Sequence, residues 1–312
     1  MIRRMLASSL PLPLAYLYCY DTSSVACDES SLPGSLYVFG SNTAGQLSTA
    51  TSRDTFLPSR SSLVPAGSVK LLSCSDQNTA CALKSGLLVQ SGKSLCGSGF
   101  INEYTFDNIK ELSLGYRHGA LIDGQGDVYT WGSNLTSQLG RPTEDWRGSD
   151  TPEKIQVPAV KFTKVSCGGN FSVGLSDDGS VYTWGSGRDG SLGSGSTGTV
   201  HSPLRLDPLL FDGNEIVDVA CGRESTVVLT KSGILFSFGC SDFGKLGIGK
   251  VADRIVHTPT RISGVSNVVM IASGDYHASA VTREGRVFTW GKGNSGCLGV
   301  GSTQDAWAPV GK

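Results

Sequence analysis

The residues with the most direct chemical reading are glycine loops, cysteines and histidines. Two segments spell G-x-G-x-x-G, Gly185-Ser186-Gly187-Arg188-Asp189-Gly190 and Gly291-Lys292-Gly293-Asn294-Ser295-Gly296. In a dinucleotide site such a loop opens a helix, whose N-terminal amides hold the pyrophosphate. Here Leu192-Gly193 and Leu298-Gly299 follow, with more turn residues after them, so both loops read as structural turns. Gly92-Lys93-Ser94 resembles the end of a phosphate loop, yet the glycine such a loop needs falls on Leu87. The nine cysteines include no C-x-x-C pair, the spacing of a zinc site. Their odd number along a long chain suits reduced thiols and an intracellular compartment better than a disulfide framework. His118 and His277 share one place in a repeat where other units carry Asn78, Phe171 and Ser225, a substitution pattern that packing tolerates and a shared catalytic role does not. Neither G-x-S-x-G nor H-E-x-x-H occurs. No catalytic, cofactor-binding or metal-ligating residue is therefore expected, no cofactor is implied, and the chain reads as non-enzymatic.

What positions these residues is a repeat. Glycine pairs six residues apart recur at Gly34 and Gly40, Gly86 and Gly92, Gly126 and Gly132, Gly179 and Gly185, Gly233 and Gly239, and Gly285 and Gly291. The second glycines advance by 52, 40, 53, 54 and 52 residues. Between the glycines of a pair lies a short alternating run such as VYTW, LFSF or VFTW, rich in β-branched and aromatic residues, which predicts a strand. Trp131, Trp184 and Trp290 share one position in it, with Phe39 and Phe238 as substitutes, so each unit offers the same packing site. Further landmarks keep phase: Leu47, Leu139, Leu192, Leu246 and Leu298, then Pro58, Pro152, Pro203, Pro259 and Pro309. Each complete unit ends on a second apolar strand, among them VKLLSCS, FTKVSCG and IVDVACG, followed by segments such as HGALI and STVVL. Short strands joined by glycine turns, with no sustained helical period, predict propeller blades rather than a helical solenoid.

Phrases such as GDVYTWGSNLTSQLG, GSVYTWGSGRDGSLG, GILFSFGCSDFGKLG and GRVFTWGKGNSGCLG, each followed by Pro and most then by VSCGG, VACGR or IASGD, resemble the regulator of chromosome condensation repeat. The resemblance covers roughly 33–312 and implies an all-β propeller of about 50-residue repeats, five complete blades plus a partial sixth. The family's usual seven blades make this an incomplete ring, and the structural repeat positions are Gly40, Trp131, Gly132, Trp184, Gly185, Phe238, Gly239, Trp290 and Gly291. The second unit is about 12 residues short, lacks the Leu-Gly and Pro landmarks and reads as degenerate. The sixth stops before its second apolar strand, and no strand matching the one it lacks is read before Gly34. Truncation is the preferred explanation, completion by another chain the alternative, since an open edge invites strand pairing.

Composition narrows the partners. With 26 Lys and Arg against 27 Asp and Glu the net charge is −1, which carries no polyelectrolyte signature for nucleic acid. Residues 1–32 read as a targeting or flexible segment, and 33–312 as the propeller domain. Arg3, Arg4 and the lack of acid before Asp21 suit a mitochondrial presequence, with a secretory signal or a tail on a cytoplasmic or nuclear protein as alternatives. Pro11, Pro13 and the short apolar run argue against a membrane span. A protein-binding platform or assembly subunit is the expected function, and the resemblance implies an alternative, nucleotide exchange on a small GTPase of the Ran type. The loops at 141–150, with Trp146 and Arg147, and at 201–207 vary between units and are candidate partner contacts.

Overall fold

The computed structural model describes residues 14–19, 23–28, 36–47, 54–60, 64–94 and 97–311. Six four-stranded antiparallel sheets follow one another along the chain. The first holds β1 (Leu14–Cys19), β2 (Ser23–Asp28), β3 (Leu36–Gly40) and β4 (Thr55–Arg60). The second holds β5 (Val69–Cys74), β6 (Asn78–Leu83), β7 (Leu87–Ser94) and β8 (Gly97–Thr105), and the third β9 (Glu111–Leu114), β10 (His118–Ile122), β11 (Val128–Ser133) and β12 (Gly148–Lys154). In the fourth are β13 (Phe162–Cys167), β14 (Phe171–Ser176), β15 (Val181–Gly185) and β16 (Val200–Arg205). The fifth comprises β17 (Ile216–Cys221), β18 (Ser225–Thr230), β19 (Leu235–Cys240) and β20 (Ile255–Ile262), and the sixth β21 (Val268–Ser273), β22 (His277–Thr282), β23 (Val287–Gly291) and β24 (Ala306–Gly311). Each is a meander in which consecutive strands pair.

The sheet frame and the repeat frame are offset by half a unit. A repeat begins at the third strand of one sheet and ends on the first two strands of the next. The partial sixth repeat thus completes a four-stranded sheet, β21 to β24, and the short second unit also forms a whole sheet, β5 to β8. Before Gly34, where the sequence shows no strand matching the one the sixth unit lacks, the structure has two strands. β2 pairs with β3 (Val25 opposite Val38) and β1 with β2, so the first sheet draws two strands from the segment assigned to targeting. Those strands lack the glycine landmarks that made the others legible, while β3 needs a hydrogen-bonding neighbour on its inner side. Gly34, Arg3 and Arg4 lie outside the described residues.

The sheets radiate from one axis. β5, β9, β13, β17 and β21, the first strands of five successive sheets, together line one cavity of about 310 Å³. In it Lys164 sits between Glu111 (3.5 Å) and Asp218 (3.4 Å). Five apolar clusters fill the five spaces between neighbouring sheets, and among the described residues none joins the sixth sheet to the first. Hydrogen bonds near the axis tie the sheets together: Ser73 Oγ accepts from Leu114 N (2.9 Å), Ser113 Oγ from Cys167 N (3.0 Å) and Ser166 Oγ from Cys221 N (3.0 Å).

The aromatic-glycine pair has a specific geometry. The register between third and fourth strands shifts at Trp131, Trp184, Phe238 and Trp290, each a β-bulge followed by a glycine at positive φ. A Cβ on Gly239 would lie 2.3 Å from Glu224 O, and one on Gly291 2.4 Å from Tyr276 O, so backbone as well as φ demands glycine there. The bulge turns each aromatic into the space between sheets, where Trp184, Phe238 and Trp290 are fully buried. The floor beneath each ring is the Leu-Gly glycine of the preceding sheet: Cβ atoms on Gly140, Gly193 and Gly247 would meet Trp184, Phe238 and Trp290 at 2.7 to 2.8 Å.

Candidate interaction face

In a meander the loop after the first strand and the loop after the third strand emerge on the same side. One face of the molecule is therefore built from the short turns around 75–77, 115–117, 168–170, 222–224 and 274–276, together with the longer connections 134–147, 186–199, 241–254 and 292–305. The bulge glycines lock these two loop sets together, as the Gly239 and Gly291 contacts show.

Trp146 is 73% exposed, the most exposed aromatic residue described on this face. Its loop is nonetheless fixed at several points. Arg141 is buried and donates to Glu153 Oε2 (3.1 Å) and to the Thr130 carbonyl (3.0 Å). Asn134 N donates to Arg147 O (2.7 Å), and Asn134 Nδ2 to Arg141 O (3.0 Å). Arg147 grips Asp145 through Nε and NH2, an exposed pair that holds the Asp145 carboxyl below the usual carboxylate range. Gly148, at φ 139°, passes so close to Gly132 O that a Cβ would stand 2.0 Å away.

Beside Trp146 a cavity of about 250 Å³ opens between the second and third sheets, lined by Gln90, Lys93, Leu114, Arg117, Trp131, Leu135, Arg147 and Asp150 among others. Its cause is the short second unit. In longer units the connection between third and fourth strands reaches over the next sheet's aromatic, and Trp184 Nε1 donates to Gln138 O (3.0 Å) and Trp290 Nε1 to Lys245 O (3.1 Å). β7 and β8 are joined by a tight hairpin with Ser94 opposite Gly97, so no such connection covers Trp131. Its indole donates instead to the Gln90 side chain (2.6 Å).

A second cluster lies on the fifth and sixth sheets. Arg223 NH1 donates to the Tyr276 hydroxyl (2.6 Å), and Lys292 Nζ stands 4.7 Å from the centre of the Phe243 ring and 5.0 Å from that of Tyr276. Phe243 holds φ 61°, a conformation a bulky residue adopts only when its surroundings enforce it. Beneath them Lys245, 1% exposed, pairs with Glu224 Oε2 at 2.9 Å. Burial pushes the Asp189 carboxyl up, and Glu224 acts in the same direction.

The structure thus brings Trp146 and Arg147 together with Trp131 and Gly132 at one cavity. Gly40, Gly185, Gly239 and Gly291 end or follow the bulges that shape the loops, and Trp184, Phe238 and Trp290 lie inside. The 201–207 segment is corrected: residues 200–205 form the outer strand β16 rather than a loop, because the pairing of Thr183 with Leu204 continues the sheet. Tyr116, Arg117, Arg223, Phe243, Tyr276 and Lys292 went unread in the sequence. Four of them occupy the two places after a strand-ending glycine, in GYRH, GRES and GDYH, and their variation within a constant frame was the available signal.

A propeller with this bulge and this loop face defines the class of protein, and comparisons give the family. The family model described as the RCC1-like domain matches residues 100–311, and the regulator of chromosome condensation (RCC1) repeat model matches 33–82. The chain belongs to the RCC1-like domain family. It is 30% identical to the human regulator of chromosome condensation over 314 residues, which is 90% of this chain and 73% of that protein. Human E3 ubiquitin-protein ligase HERC2 is 33% identical over 204 residues, 64% of this chain, but the chain spans only 4% of HERC2. The structure of Prp20p from Saccharomyces cerevisiae, a protein studied for its binding properties to Gsp1p and histones, superposes with a TM-score of 0.79 at 25% identity, over 93% of this chain and 75% of that one.

Proposed function

We propose that this protein is a non-enzymatic protein-protein interaction platform or assembly subunit that engages its partner through the loop face described above. The observation that carries this reading is an exposed tryptophan on a loop pinned by buried hydrogen bonds, beside an apolar cavity. A rigid scaffold that keeps a large apolar side chain in water is the arrangement of a binding anchor. Affinity purification of the full chain from its source cells, followed by mass spectrometry, tests it. Partners retained by the wild type and lost on substitution of this face support the platform, and a face whose substitution changes no partner contradicts it.

The second reading is nucleotide exchange on a small GTPase, favoured by the similarity to the human regulator of chromosome condensation along 90% of this chain. Exchange works by stabilising the nucleotide-free GTPase and needs no chemical catalyst. Release of labelled nucleotide from Ran-type GTPases decides between the two: acceleration by substoichiometric protein establishes exchange. For localisation we propose mitochondria, on the strength of Arg3 and Arg4 and the acid-free N-terminus. Cleavage before Leu14 leaves β1 intact, whereas cleavage near residue 26 removes β1 and most of β2, so mass spectrometry of the mature N-terminus tests both points.

A further inference from the structure

We propose that the cavity between the second and third sheets is a docking pocket for one bulky apolar side chain of a linear peptide segment whose neighbouring residues are acidic. This deepens the platform reading and rests on it. Three observations lead there. The pocket arises at this chain's short second unit, since the connection that covers Trp184 and Trp290 elsewhere is replaced there by a hairpin, and the Trp131 indole, itself buried, donates to the Gln90 side chain at the pocket's edge. Its floor and wall are apolar, from Leu114, Trp131, Leu135 and Trp146, and at about 250 Å³ it holds several times the ~30 Å³ share of one water. An apolar side chain laid against the exposed Leu135 and Trp146 takes their surface out of water, which is favourable.

The rim supplies the second part of the specificity. Lys93 and Arg117 border the pocket on opposite sheets, and among the described residues no ion pair with either is present. Arg147 is matched by Asp145, and Asp150 is the remaining acid at the rim, so the local balance is cationic although the whole chain carries −1. Carboxylates on either side of an apolar anchor fit that rim, and cationic segments are repelled. A peptide in extended form suits the pocket's place at the junction of two sheets on the loop face, where a broad flat partner meets the projecting Trp146 first.

The test uses the full chain and a fluorescein-labelled peptide with a central Phe flanked on each side by Glu residues, read by fluorescence anisotropy. Saturable binding is expected, weakened roughly tenfold or more by Trp146→Ala and by Arg117→Glu. Replacing the peptide's Phe by Ala is expected to abolish binding, and replacing its Glu by Gln to weaken it severalfold and to remove most of its salt dependence. Both substituted positions are exposed, so unchanged thermal melts verify folding, and Leu209→Ala, an exposed apolar position away from the pocket, is expected to bind as wild type. No saturable binding by the wild type overturns the proposal. So does equal binding by Trp146→Ala, equal binding of a Lys-flanked peptide, or equally strong competition by a short oligonucleotide. Partners captured equally by wild type and Trp146→Ala, but lost on substitution at Tyr276, leave the platform standing and remove this pocket from it.

Discussion

The packing of each aromatic on the preceding sheet's glycine can be tested by a matched pair of substitutions. Gly247 and Gly299 occupy the same repeat position, with φ of 69° and 68°. A Cβ on Gly247 would stand 2.8 Å from Trp290 Cδ1 and Nε1, whereas a Cβ on Gly299 meets nothing within 4 Å. Alanine at either site carries the left-handed backbone cost of about 1–2 kcal/mol. Only Gly247→Ala adds overpacking against a fully buried ring, about 1–3 kcal/mol more. At roughly 2–4 °C per kcal/mol for a large domain, the melting temperature of Gly247→Ala is expected to fall several degrees further than that of Gly299→Ala. Differential scanning calorimetry measures both, and in a Trp290→Ala background the excess should vanish, because the ring that opposes the methyl is gone. Equal shifts for the two single variants, or an excess that survives removal of Trp290, would refute the layered packing.

Three further outcomes follow from the geometry. Ser113→Ala removes the acceptor of the Cys167 amide and is expected to cost about 1–2 kcal/mol in urea unfolding, whereas Ala220→Ser, which places a hydroxyl where the fifth sheet lacks one, is expected to stabilise by up to about 1 kcal/mol. Glu224→Gln leaves the buried Lys245 ammonium without its carboxylate and is expected to destabilise by about 3 kcal/mol, while Lys245→Met, which removes the charge itself, is tolerated better in the same assay. Burial lowers the His277 pKa from 6.5 to about 4, so between those values the unfolded chain binds a proton that the folded chain does not. Stability is therefore lost as pH falls from about 6.5 to about 4, by about 3 kcal/mol at 1.36 kcal/mol per unit, and His277→Phe, a residue this position already carries as Phe171, should flatten that slope in chemical unfolding across pH.

The legible part of this fold was whatever backbone geometry forces on residue type. Glycine at the bulge and at the turn between second and third strands, and an aromatic at the bulge, recur because each unit meets the same steric demand, so their spacing exposed the blades. β1 and β2 carry no such glycine and stayed hidden. The cavity beside Trp131 was foreshadowed only as a missing stretch in the second unit, since a deletion is visible in sequence while the space it vacates depends on the neighbouring sheet. Trp146 and Arg147 stood out as unusual residues in a variable loop, but Arg117 comes from another turn and Lys93 from strand β7 of the neighbouring sheet, and only the radial arrangement brings them to one rim. Phe243, Tyr276 and Lys292 likewise meet from three separate loops on two sheets.

The most direct test of the loop face as the site of partner engagement is hydrogen-deuterium exchange of the full chain with and without a purified partner. Protection is expected in the short turns at 115–117, 222–224 and 274–276 and in the connection at 145–148. Protection confined to the turns on the opposite side, at 84–86, 123–126, 177–179 and 231–233, or to the outer strands β8, β12, β16 and β20, would contradict it.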